Sequence, residues 1–141
     1  MDATLPPDEP EPSQVGERVG SYRVTRRISH GGMAVLYEGQ DENGIKVAIK
    51  VLRACHLQNA DIAARFSDEA RVANLVRRGV KGLVDFYAVL TLPNLSQCIV
   101  MEYLEGESLS ARLERLKFMS LGPQRIARQL ASALVAAHSK H

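Results

Sequence analysis

The chain has 141 residues, 45% of them hydrophobic and 24% charged, with a formal net charge of +2, which by length and composition is about one folded globular domain. The small net charge points neither toward nor away from nucleic acid, but no Lys/Arg block is long enough for a basic arm, so no nucleic-acid partner is expected. No apolar run approaches the ~18 residues of a membrane span, and the two cysteines, Cys55 and Cys98, are too few for a disulfide framework or a metal site, which fits a cytoplasmic protein.

Residues 1–20 read as a disordered tail. Pro6, Pro7, Pro10 and Pro12 are mixed with Asp2, Asp8, Glu9 and Glu11, and such a segment buries too little apolar surface to offset its ordering entropy. A partner-binding peptide is the alternative. The segment lacks the basic start and apolar run of a signal peptide.

A first strand is expected over Tyr22–Ile28, a glycine-containing link over Ser29–Met33, a second strand over Ala34–Gln40 and a third over Ile45–Leu52. The turn Asp41-Glu42-Asn43-Gly44 carries the Asn-Gly hairpin signal. Arg26-Arg27, and Arg77-Arg78 with Lys81, read as solvated faces. A helix capped by Asn59 or Asp61 is expected to run to about Arg78 and to end at Gly79. On a helical wheel Ile62, Phe66, Glu69, Ala73 and Val76 form one stripe. A fourth strand follows over Gly82–Val89, then a turn over Thr91–Ser96 and a fifth strand over Gln97–Met101 that buries Cys98 as a reduced thiol. Two helices close the sequence, from Ser108 to about Lys117 and from Pro123 to about Ser139, the second striped by Ile126, Leu130, Leu134 and Ala137. The fold class is α+β: a five-stranded antiparallel sheet with one helix packed on it, then further helices.

Two charges stand out in this pattern. Lys50 shares a strand face with Ala48 and Leu52, so it lies at an edge or against an anion. Gly31 and Gly32, in the link over the same sheet, allow close backbone approach and N–H groups aimed at a phosphate. Glu69 lies within an apolar stripe, where an unpaired carboxylate would be costly. It either leans to the rim and meets a base such as Arg65, or pairs with Lys50.

The glycine link between two strands, Val47-Ala48-Ile49-Lys50 on the third, and Arg65-Phe66-Ser67-Asp68-Glu69-Ala70-Arg71 on the next helix resemble the start of a protein kinase domain. Gly31-Gly32-Met33-Ala34 with Val35-Leu36-Tyr37 is most similar to bacterial serine/threonine kinases of eukaryotic type. The family pattern G-x-G-x-x-G-x-V falls on Ser29, Gly31, Ala34 and Leu36, and only the middle glycine is kept. Val80-Lys81-Gly82 stands where the family usually has a His-Pro-Asn-like turn.

The resemblance implies a kinase N-lobe over residues 21–104 and an incomplete helical C-lobe over 105–141. It implies an ion pair between Lys50 and Glu69 as the catalytic pair of this half. It places ATP against Ile28, Ser29, Gly31, Gly32, Ala34, Leu36, Ala48 and Lys50. Met101 would be the gatekeeper at the back, and the backbone groups of Glu102 and Leu104 would meet the adenine edge. Glu107 or Ser108 would reach the ribose. The implied co-substrate is Mg-ATP and the implied partner a protein Ser/Thr hydroxyl.

No H-R-D or D-F-G sequence is present. In the resembling family these supply the base and magnesium ligands, so no metal ligand is assigned here. A kinase that continues beyond His141 is expected, with weak nucleotide binding and no phosphotransfer by these residues alone. A non-catalytic kinase-like module that binds nucleotide or a protein partner remains the alternative. Ser29, Ala34 and the absent turn histidine lean that way, while Lys50 and Glu69 lean back. An unrelated α+β domain is the third reading.

Overall fold

The computed structural model describes residues 15–75, 79–93, 95–115 and 123–138. The elements are β1 (Arg18–Val19), β2 (Tyr22–His30), β3 (Ala34–Gln40), β4 (Lys46–Leu52), α1 (Ala60–Leu75), β5 (Phe86–Thr91), β6 (Gln97–Glu102), α2 (Leu109–Arg115) and α3 (Pro123–His138), with a short 3₁₀ turn over Ala54–His56. All strands join one antiparallel sheet in the order β1-β2-β3-β4-β6-β5.

The sheet has six strands, not the expected five. The extra strand is β1, whose residues fall within the span read as a tail. Val19 pairs with Tyr22 and is buried, so the tail reading does not hold for residues 15–20. Of residues 76–78, where the first helix was expected to end, and of Arg77 and Arg78, nothing is described; Ala73 and Val76 of its stripe likewise lie outside the described side chains.

Local chemistry explains the bounds. The β3–β4 turn is held by Asp41, whose Oδ1 accepts the N–H groups of Asn43 and Ile45, both at 2.8 Å. Asn59 caps α1: its Oδ1 accepts from the N–H of Asp61 at 3.1 Å and of Ile62 at 3.2 Å. The fourth long strand starts at Phe86 rather than Gly82. Gly82 has φ +89°, a turn conformation, and a Cβ there would lie 3.0 Å from the Cβ of Ala133 in α3. Asp85 then fixes the entry to β5. Its Oδ1 accepts the Gly79 N–H at 2.7 Å, and its own N–H donates to Glu102 Oε2 at 3.1 Å.

The alternation of β-branched residues gives the curled sheet two faces. One packs Val24, Val35, Tyr37, Ile49, Val100 and Cys98 together. Burial pushes the Cys98 thiol up to about 11, so it stays a thiol. The other face meets α1, where Leu52 and Ile99 pack on Phe66 and Ala70. The second face carries the candidate site.

Candidate nucleotide site

Cross-strand partners in an antiparallel ladder share a face. The register sets two rows across β2, β3, β4 and β6: Ser29, Leu36, Lys50 and Ile99 in one, Arg26, Glu38, Ala48 and Met101 in the next, with Ala34 opposite Leu52. The structure thus brings Ser29, Ala34, Leu36, Ala48, Lys50 and Met101 onto one face. Ile28 lies at the register shift between Arg27 and Ser29 and is exposed. Glu102 pairs with Val47, on the opposite face of the sheet. Its backbone N–H donates to the Asp85 carbonyl at 2.8 Å. Leu104 is exposed, and among the described residues no hydrogen bond uses its N–H or C=O.

Lys50 and Glu69 meet. The ammonium Nζ donates to both carboxylate oxygens, at 2.7 and 2.8 Å. It also lies 5.9 Å from the centroid of the Phe66 ring, one turn back on α1. The side chains are 25% and 39% exposed. A pair that open to water contributes about 1 kcal/mol or less to stability. Its main effect is positional: it fixes a cation on the face shared by Leu36, Ala48 and Met101. The stripe that carries Glu69 toward Lys50 includes the half-buried Ile62 and the fully buried Phe66.

The glycine link is held differently from the sequence expectation. The Gly31 N–H does not point outward at a phosphate; it donates to the Ala34 carbonyl at 3.0 Å. A Cβ on Gly31 would lie 2.9 Å from that oxygen, so the tight return needs glycine. Nothing lies within 4 Å of a Cβ built on Gly32. The Gly32 carbonyl accepts from His56 Nε2 at 2.7 Å, which puts a proton on that nitrogen. The Met33 carbonyl accepts the Arg53 N–H at 3.1 Å. Both bonds tie the link to the connector that leads into α1.

A second cluster was not legible in advance. Arg26, read as part of a solvated face, donates from Nη2 to Glu38 Oε2 at 2.7 Å and to the Tyr103 hydroxyl at 3.4 Å. The Arg26 hydrogen bond holds the Glu38 carboxyl below the ordinary carboxylate range, against the opposing pull of burial. Thr25 shares its hydroxyl proton between the Glu38 carbonyl at 3.1 Å and Oε1 at 3.3 Å. Lys46 Nζ lies 5.2 Å from the centroid of the Tyr103 ring. The available signal was period-two spacing, which puts Glu38 on the same face as Leu36.

The two candidate ribose contacts have other partners. Both Glu107 carboxylate oxygens accept from Arg115, and Ser108 Oγ accepts the Ala111 N–H at 3.1 Å as a cap of α2. Among the described residues no group of three or more His, Cys, Asp or Glu side chains could hold a metal ion. Among them too, no helix is long and apolar enough to cross a membrane. An apolar hollow of about 490 Å³ opens behind the ion pair, between Asp68, Glu69 and Val72 of α1, Leu83, Val84 and Phe86, and Ala137 of α3.

One face of the sheet thus sets a lysine held by a carboxylate of α1 beside the side chains of Leu36, Ala48 and Met101. The family model described as protein tyrosine and serine/threonine kinase matches residues 22–141. The chain is 38% identical over 126 residues to serine/threonine-protein kinase pkn2 of Myxococcus xanthus, covering 86% of this chain and 14% of that protein. It is 38% identical over 99 residues to Pkn1 of the same organism, covering 69% of this chain and 14% of the relative. The kinase domain of PknI from Mycobacterium tuberculosis shares the fold, with a TM-score of 0.73 at 22% identity over 91% of this chain and 53% of that one. The chain thus spans about half of that solved domain and a small part of the curated relatives. By its family model, its relatives and its fold, this chain belongs to the protein kinase family.

Proposed function

We propose that this chain is the ATP-binding portion of a serine/threonine protein kinase. The observation that carries the reading is the two-oxygen bond between Lys50 and Glu69 on the face shared by Leu36, Ala48 and Met101. ATP supplies the phosphoryl group that the family transfers to a hydroxyl. Lys50 holds an anionic oxygen of the phosphates, and Glu69 keeps the ammonium aimed at it. Leu36 and Ala48 form an apolar roof over the adenine and Met101 backs it, a setting that such sites favour. The backbone of Glu102 and Leu104 meets the polar edge of the base. Ser29, Gly31, Gly32 and Ala34 cover the phosphates from β2 and β3, and Ile28 flanks the base. The Gly31 N–H must leave Ala34 before it can bond a phosphate, which weakens binding.

Phosphoryl transfer to a protein serine or threonine needs a base and magnesium ligands in addition. Transfer is therefore expected only when these are supplied together with this portion. Use of ATP fits a cytoplasmic setting. A non-catalytic kinase-like module is the second reading. It is favoured by the exposed Leu130, Leu134 and Val135 on α3, a face suited to a protein partner.

The test is the melting temperature with and without Mg-ATP, for the wild type and for Lys50→Met. A rise that vanishes in Lys50→Met supports the ATP reading. No rise in either protein favours the interaction module. A rise that survives the substitution removes Lys50 from the site.

A further inference from the structure

Tyr103 lies between Glu102 and Leu104, the two residues whose backbone groups meet the base in the reading above. Its half-buried side chain is gripped by two cations from different strands. Arg26 of β2 donates to its hydroxyl at 3.4 Å, and Lys46 at the start of β4 sits 5.2 Å from its ring centroid. Each cation is itself held by a carboxylate. Arg26 bonds Glu38 of β3 at 2.7 Å, and Lys46 lies 3.8 Å from Glu105 just beyond the tyrosine. Glu38 is the anchor of the set: it is only 9% exposed and lies in one cross-strand row with Ala48 and Met101.

Each contact alone is weak. A cation over a half-buried ring and an open ion pair are worth about 1 kcal/mol apiece. Together they restrain one side chain from two sides, and that side chain is attached to the peptide linking the two base-contacting residues. Rotating this peptide would turn the Leu104 N–H away from the base and also break the grip on the ring. The cluster therefore lowers the ordering cost of presenting the backbone of residues 102–104, the hinge between the sheet and α2, to a ligand.

We infer that Tyr103, held by Arg26 and Lys46, is a positioning residue that sets the orientation of the hinge backbone and so the base-dependent part of nucleotide affinity. The inference rests on the ATP reading. It differs from plain structural support in one respect: it acts on the base and leaves the phosphates alone.

The probes are ATP and inorganic triphosphate, which lacks the base, titrated by calorimetry into the full 141-residue chain. Tyr103→Leu is expected to weaken ATP about tenfold and to leave triphosphate within about twofold. Tyr103→Phe and Arg26→Gln remove the same hydrogen bond. Each is expected to weaken ATP about threefold, and the double variant no more than either single one. These two milder variants decide the matter if Tyr103→Leu does not fold.

Equal losses for both probes, or unchanged ATP affinity in the variants, overturn the inference while the ATP reading stands. A wild type that binds ATP no more tightly than triphosphate overturns the adenine assignment, and the inference with it.

Discussion

The sheet with α1 and the two helices after the hinge use the same amphipathic patterning but bury it to different degrees. Phe66 and Ile99 are 0% exposed, whereas Leu134 on the stripe of α3 is 57% exposed. Leu109, Leu113 and Leu130 are exposed as well, and Ala133 is the one buried hydrophobic residue described in α2 and α3. A stripe records which side of a helix is apolar. Whether it is covered depends on residues far away in the chain, and in the sheet these partners are β3, β4 and β6.

Three substitutions test this contrast, starting with the largest effect. Phe66→Ala should cost about 3–5 kcal/mol in denaturant unfolding, since it empties a fully buried aromatic site. Asn59→Ala should cost about 1 kcal/mol by removing the cap of the same helix. Leu134→Ala should stay within about 0.5 kcal/mol, as an exposed position does. A Leu134→Ala loss comparable to that of Phe66→Ala would show α3 to be packed as firmly as α1, and the contrast would fail.

A smaller effect is a pH dependence carried by the Arg26–Glu38 pair. The Arg26 hydrogen bond lowers the Glu38 pKa, so the pair stabilises the fold above the ordinary glutamate value and is lost as pH falls through the lowered one. Melting temperature should thus drop on acidification below about pH 4.3. Arg26→Gln should make that decline shallower, by little because Arg26 is largely exposed. An unchanged acid limb in the variant would show the pair to be without weight.

Much of this was readable from local chemistry. The limits of β3 follow from its alternating residues between a glycine link and an Asx-type turn, and the place of Glu69 in an apolar stripe called for a basic partner, with the choice of Lys50 over Arg65 coming from the family resemblance. What could not be read depended on particular contacts, some between near neighbours and some distant in sequence. β1 exists only because Val19 meets Tyr22 across Gly20-Ser21. The apolar letters Gly82-Leu83-Val84 resembled a strand, but the chain turns there to meet Ala133. Arg26 looked solvated because its partners, Glu38 and Tyr103, lie 12 and 77 residues away. The Gly31 N–H was assigned outward because sequence gives the freedom of a glycine and not its hydrogen-bond partner.

The two-residue β1 also bears on self-association. β2 is nine residues long, and its side away from β3 would be an open template for another strand. Residues 16–19 cover the first part of it: β1 pairs with Arg23 and Tyr22, the Gly16 N–H bonds the Val24 carbonyl at 2.8 Å, and the Val24 N–H bonds the Glu17 carbonyl at 2.9 Å. Beyond Val24 the side chains of Arg26 and Arg27 place charge along the strand. A short strap and two arginines thus act as gatekeepers against edge-to-edge aggregation, and trimming the chain to Tyr22 would leave only the arginines.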